Sequence, residues 1–471
     1  MASLNIKLKN YFQVLQDVVL SVFKFDNSSL LLRSKQRLIK SLTFTNFNSA
    51  VIIRRTLDTM ESLGFFNLQD RSNKKRRILQ TMYVFTFNFI MGLILGLHLL
   101  STFTRSIRST LEFLHTILDD VFLIQFLFVI NYTRVRYYKL ETIVTFMETS
   151  FSKVDTQVIR KYEKLNRTII IIFSVVATCQ TLVLLTELKQ PMSNKDVEME
   201  RQIYQTKNPE RKHPFRVLVP FVDETQSWTY EIVLLFQLYS IFVLYILRIM
   251  GFFYPIIILA LHGQYMILCN HIKKIGNNLE TDNFESFEHK MESASCSRMN
   301  EKNLFVKRKE EYERYCIKEI VKFHYKLMTF TDELTDMFST SAAVIWTANA
   351  LFLSLGLLEM VLFQINISSM GQFFALFLRT FFMSNLSEIL DNCHIDLRST
   401  LICHFPWGKV SNSTRRDLCM ILRRLQGPNH ISHLGGLLIL SRVQFLQLVK
   451  MSYNAVSFVG AVQSRLTRSQ F

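Results

Sequence analysis

Ile78 to Thr104 is a run of 27 residues without Asp, Glu, Lys or Arg. At 1.5 Å per residue a helix of that length extends about 40 Å, enough to cross the roughly 30 Å hydrocarbon core of a bilayer. The run is not alone. Thr168 to Thr186 adds 19 uncharged residues and Met337 to Leu358 adds 22. Ile232 to Leu247 continues past a lone Arg248 to about Cys269, and Gly435 to Ser464 is apolar except for Arg442 and Lys450. Two further stretches are less clean. Ser109 to Thr133 carries Glu112, Asp119 and Asp120, and Gly371 to Asn392 carries Arg379 and Glu388. Met360 to Leu378 is interrupted by Asn366-Ile-Ser-Ser, which reads as a turn. The expectation is an all-α membrane protein with seven transmembrane helices.

Charge orients those helices. The chain has a net charge of +17, and 40 of its 55 basic residues fall on one side of the predicted spans against 11 on the other. Basic residues favour the cytoplasmic side. The N-terminus is therefore expected in the cytoplasm and the C-terminus outside, the reverse of a G-protein-coupled receptor. The expected organisation is a cytoplasmic N-terminal segment over 1–77, then transmembrane helices one to four over 78–269, with an outer loop at 188–228. A cytoplasmic helical anchor follows over 270–336, helices five and six over 337–392, a cytoplasmic helix and turn over 393–434, and a seventh helix with a short tail over 435–471. Within the anchor, Ile317, Ile320, Val321 and His324 share one helical stripe that continues through Leu327, Phe330 and Leu334 into the fifth helix. Residues 281–303 read as a loop.

Several classes drop out. Only 7 Pro and 13 Gly argue against disorder and leave little room for phosphate-cradling loops. Basic residues that flank apolar runs point to a membrane and away from nucleic acid. The seven Cys are scattered without a CxxC pair, so neither a structural metal nor a disulfide framework is expected. No cofactor is implied. No nucleophile elbow or paired catalytic carboxylate accompanies His394, Cys403 and His404, so an enzyme is not expected. The Tyr11–Phe23 stretch is broken by Asp17 and does not read as a signal peptide.

An ordered series of fragments resembles the insect odorant receptors. Phe215-Arg-Val-Leu-Val-Pro-Phe-Val-Asp223 and Tyr230-Glu-Ile resemble that family's outer loop entering its fourth helix. His262-Gly-Gln-Tyr-Met-Ile-Leu-Cys-Asn-His-Ile-Lys-Lys274 is similar to its His/Gln/Leu pattern, and Ile320-Val-Lys-Phe-His324 with Phe330 to Ser339 to its fifth helix. The C-terminal third is the most specific. Ser387-Glu388, Trp407, Arg415-Arg-Asp-Leu, Leu422-Arg-Arg-Leu-Gln-Gly-Pro428, Leu440-Ser-Arg-Val-Gln-Phe445 and Lys450-Met-Ser-Tyr453 follow in the family's order. Ser387 stands where the family often has Gly. The likeness to the shared odorant co-receptor is poorer, so the chain resembles a tuning receptor.

The resemblance implies an odorant-gated, non-selective cation channel in the plasma membrane of a sensory neuron. It implies a tetramer, commonly with co-receptor subunits, embedded in the lipid bilayer and passing cations after binding a volatile small molecule. It also implies an odorant pocket in the outer halves of helices two, three, four and six. On those helices the candidates are Phe113, Thr116, Val176, Cys179, Tyr230, Phe236, Phe373, Phe377, Thr380 and Phe381. His115, Asp119 and Thr181 lie beside them. Phe373, Phe377, Thr380 and Phe381 share one helical face. Ordinary packing or lipid contact is the alternative for each. For a pore lined by the seventh helix, the candidates are Phe458, Val459, Val462 and Gln463 in two alternative registers. Small residues there also suit close helix packing. Asp119 and Asp120 are expected to face protein or water, and Arg379 faces the same choice or an ion pair with an acid on a neighbouring helix. Alternatives of other kinds are a gustatory receptor of the same architecture and a transporter. Of six Asn-X-Ser/Thr sites only Asn366 is expected outside.

Overall fold

A computed structural model describes residues 49–62, 74–153, 155–189, 197–198, 200–251, 253–281, 301–362, 367–427, 432–433 and 438–468. It is helical almost throughout. The helices are α1 Ser49–Ser62, α2 Lys74–Thr104, α3 Thr110–Val135, α4 Tyr137–Ser150, α5 Thr156–Lys189, α6 Ser227–Met250, α7 Phe253–Thr281, α8 Glu301–Leu362, α9 Ile367–His404, α10 Asn412–Arg424 and α11 Arg442–Arg468. A minimal hairpin pairs β1 Ser432–His433 with β2 Leu438–Ile439, antiparallel. The expected loop at 281–303 and the turn at Asn366 fall largely outside the described residues.

Among the described residues, five helices are long and apolar enough to cross a bilayer. They differ in what their apolar surface meets. The apolar window of α2 is only 28% buried, and its exposed face carries Met82, Phe85, Phe89 and Phe103. In water such a patch is costly; in hydrocarbon it costs nothing. The window of α7 is 78% buried. Ile256, Ile257, Ile258, Leu261, Leu268 and Ile272 are all at or near zero exposure, packed with Leu327, Phe330 and Leu334 of α8 and Leu390, Leu397 and Leu401 of α9. This helix is the centre of a protein core. Hydropathy cannot separate that case from a lipid-facing one.

The fourth apolar run therefore divides in two, where the sequence suggested a continuous span from Ile232 to about Cys269. Pro255 is the reason. It sits in the first turn of α7, where its missing N–H is harmless, but its ring would clash with the carbonyl of Gly251 in a continuous helix. The last helix also starts later than expected, at Arg442. Glu388 of α9 fixes that start. Its Oε1 accepts from the Arg442 backbone N–H at 2.9 Å, and its Oε2 pairs with Arg442 Nε at 2.6 Å. A carboxylate at a helix N-terminus both satisfies an orphan donor and meets the positive end of the dipole.

The longest helix, α8, has 62 residues and extends about 93 Å, some three bilayer cores. It runs on from the bundle into a layer built by α7, the second half of α9, and α10. Glu313 of α8 is buried there and accepts from Ser411 N at 3.1 Å and Thr414 Oγ1 at 2.8 Å, pinning the start of α10. Gln264 exchanges hydrogen bonds with the Ser152 backbone, accepting at 2.8 Å, and His262 meets the Tyr162 hydroxyl at 3.0 Å. These contacts give the His262-Gly-Gln motif a packing role.

Candidate ligand cavity

Near the α2–α3 end of the bundle lies a cavity of about 450 Å³. Pockets of roughly 300–1,000 Å³ suit small organic ligands. Five helices, the segment carrying Phe215 and the turn at Gly251 supply its wall. Ile169, Ile172, Phe173, Val176 and Ala177 come from α5, Ile241 and Leu244 from α6, Phe352 from α8, and Phe373, Leu376, Phe381 and Phe382 from α9. Polar groups are few and spaced apart. They are His115, Asp119 and Gln125 of α3, Thr181 of α5, Tyr245 of α6, Asn349 of α8 and Arg379 of α9.

Phe215 reaches the cavity from the segment between α5 and α6. That segment is held by matched contacts. Gln237 of α6 clamps the Phe215 backbone, donating to its carbonyl at 2.9 Å and accepting from its N–H at 3.2 Å. Leu218 N donates to Leu97 O of α2 at 3.2 Å. The buried Glu112 of α3 forms an ion pair with Arg216 and accepts from the Tyr204 hydroxyl at 2.9 Å. The buried Glu224 pairs with Arg105. Beyond them, His213 Nε2 donates to the Glu224 carbonyl at 3.2 Å, and burial lowers its pKa, with that hydrogen bond opposing in part.

Asp120 and Asp119 divide their roles. Asp120 is buried and lies 2.6 Å from His98 Nδ1 of α2. Asp119 lines the cavity, with its carboxylate 4.0 Å from His98 Nε2. Arg379 lines the cavity too, and among the described residues it has no ion pair or hydrogen bond. The acid partner considered for it from the sequence is absent from that set.

Of the ten residues singled out from the sequence, Val176, Phe373 and Phe381 line the cavity. Phe113 instead packs edge-on against Phe103 of α2. Thr116 is fully buried, with Oγ1 donating to its own helix at Glu112 O. Thr380 does the same to Leu376 O at 2.8 Å. Cys179 and Phe236 are exposed on the outside of the bundle. Tyr230 donates to Lys212 O at 3.1 Å and packs on His213. Phe377 turns to Phe445 of α11, with ring centroids 5.2 Å apart. Phe381 has both neighbours: it lines the cavity and lies 5.4 Å from the Phe445 ring. A second contact between the bundle and α11 joins Ser354 of α8 to Ser452 at 2.9 Å.

Sequence reasoning missed the α8 wall, Phe215, Gln125 and Asn349. Two of these left a signal, since each is a lone amide inside an apolar run. On α11, Phe445, Leu448, Ser452 and Val456 are buried, while Leu446, Met451, Tyr453 and Phe458 are exposed. The helix backbone runs through Val459, Val462 and Gln463, whose side chains lie outside the described ones.

A model of the 7tm odorant receptor family matches residues 106–453. The chain belongs to the odorant receptor family. That match takes in every helix of the cavity, and odorant receptors of this kind are multi-pass membrane proteins. The fold is similar to that of the insect olfactory receptor OR5 from Machilis hrabei, with a TM-score of 0.61 over 88% of this chain and 99% of that one, at 12% identity. A structure of the same receptor in complex with eugenol gives a TM-score of 0.59 over 88% of this chain and 100% of that one, also at 12% identity. No curated protein matches the sequence. The likeness to these structures is one of fold, and the odorant-receptor assignment rests on the family match.

Proposed function

We propose that this odorant receptor is one subunit of an odorant-gated, non-selective cation channel, with the cavity as the odorant site and α11 as the pore lining. The observation that carries the reading is Phe381, which belongs to the cavity wall and packs on Phe445 of α11. A ligand that binds more tightly when α11 is displaced favours the displaced state by its differential affinity. The eugenol complex of the Machilis receptor supports a small volatile molecule as the ligand class.

The subunit spans the plasma membrane seven times, by α2, α3, α5, α6, α8, α9 and α11, with its N-terminus in the cytoplasm and its C-terminus outside. The layer of α7, α8, α9 and α10 is a cytoplasmic anchor. Four subunits, commonly including the co-receptor, surround one pore. The exposed apolar face of α11, with Leu446, Met451 and Phe458, is consistent with this, because it is free to pack on a neighbouring subunit. Phe458, Val459, Val462 and Gln463 line the narrow part, where apolar rings close a pore by dewetting.

The test is whole-cell recording from cells expressing the chain with and without the co-receptor, across a panel of volatile compounds. Odorant-evoked cation current that needs both chains is expected. Permeability and gating left unchanged by substitutions at Phe458, Val459, Val462 and Gln463 would overturn the pore assignment. Saturable tracer flux without channel steps would favour a transporter.

A further inference from the structure

We infer that Arg379 is an anchoring group for ligands carrying a carboxylate, so that the receptor prefers volatile carboxylic acids over neutral molecules of equal length. This rests on the cavity being the odorant site.

A guanidinium stays charged at any physiological pH and carries five donors. Arg379 lies on α9 within a cavity wall of Phe373, Leu376, Phe381 and Phe382, yet no hydrogen bond or ion pair holds it among the described residues. An ionised side chain within a membrane span is costly unless it is compensated by a partner, water or a ligand. Asp119 is the other charge in the lining, but no ion pair joins the two. Asp119 has a neighbour of its own in His98. The free valence in the cavity is thus cationic. A carboxylate is the group that fits it, because its two oxygens match the guanidinium fork and supply the missing charge. The apolar remainder of the wall then takes an alkyl or aryl body.

The experiment records dose-response curves, at equal surface density with the co-receptor, for a straight-chain acid, alcohol, aldehyde and amine of equal carbon number. Wild type, Arg379→Gln, Arg379→Lys and Asp119→Asn are compared. The expected wild-type result is at least a ten-fold lower half-maximal concentration for the acid than for the alcohol. Arg379→Gln abolishes that ratio while the alcohol response stays within about three-fold of wild type, and Arg379→Lys retains part of it. A wild-type ratio near one overturns the inference without any variant, even if Arg379→Gln does not reach the surface. So does an amine preference lost in Asp119→Asn, or an equal shift for every compound in Arg379→Gln. If no compound evokes current, the channel reading itself fails. The inference is then read from purified receptor, where the acid must raise the melting temperature more than the alcohol does, and equal shifts overturn it.

Discussion

Replacing Gly276 with Ala adds one methyl group in the middle of the enclosed layer, and the geometry makes that methyl costly. A Cβ built on Gly276 lies 2.0 Å from the backbone carbonyl oxygen of His404 at the end of α9. Carbon and oxygen do not approach closer than about 3 Å without repulsion, so α7 and α9 must part by about 1 Å. The obstructing atom is backbone, and no side-chain rotation relieves it. Overpacking of this kind costs about 1–3 kcal/mol, and separating the α7–α9 contact over several buried residues puts this case at the upper end. Helix propensity favours Ala over Gly by up to about 1 kcal/mol and offsets only part. Gly92→Ala and Gly96→Ala are the controls, because a Cβ there meets nothing within 4 Å. Thermal unfolding of purified receptor, followed by size-exclusion chromatography, is the assay. Gly276→Ala should melt several degrees below wild type and reach the surface in smaller amounts, with both controls unchanged or slightly more stable. A Gly276→Ala protein that melts with wild type would refute the argument, since it would mean that α7 and the end of α9 do not pack this closely.

Other contacts give further expectations. Glu112→Gln removes the carboxylate paired with Arg216 and should destabilise the receptor by about 3 kcal/mol, the lower end for breaking a buried pair; adding Arg216→Gln should recover part of the melting temperature. Burial raises the Glu163 carboxyl from 4.5 to about 7, so folding takes up a proton there and stability falls as pH rises between those values. Glu163→Gln should therefore raise the melting temperature more at pH 8 than at pH 5, and a gain equal at both would count against it. His213 is shifted the other way, its pKa lowered below 6.5, and its buried Nδ1 has no acceptor for an added proton. Lowering the pH below 6.5 should cost stability in wild type and less in His213→Gln, measured as melting temperature against pH. Phe445→Ala removes the ring between Phe377, Phe381 and α11, and should reduce maximal odorant current more than it shifts the half-maximal concentration.

The helical membrane class was legible in the sequence because uncharged runs of 19 to 27 residues have few other uses. What lay within those runs was less legible. Hydropathy reads α7 and α2 alike, though one is enclosed by protein and the other is not. The break at Gly251 had a signal in Pro255, four residues on. The cavity was half legible. Choosing residues on α3, α5, α6 and α9 brought in Val176, Phe373 and Phe381 of the cavity wall, but helical rotation decides which face turns inward, and Thr116, Thr380 and Phe377 turned elsewhere. Phe215 was unreachable by periodicity, because a loop carries no period. Arg379 was visible as an anomaly in an apolar span, and only the three-dimensional arrangement showed it lining a cavity without a partner among the described residues.

Ala177 sits in the cavity wall, is buried and faces the space directly. Ala177→Phe fills on the order of 100 Å³ of the about 450 Å³ there. Odorant dose-response curves of this variant, co-expressed with the co-receptor and matched for surface density, bear most directly on where the odorant binds. Loss of the response to the largest effective odorants is expected, or at least a ten-fold shift, with the smallest ones affected least. Curves that overlay wild type for odorants of every size would mean that the odorant binds elsewhere.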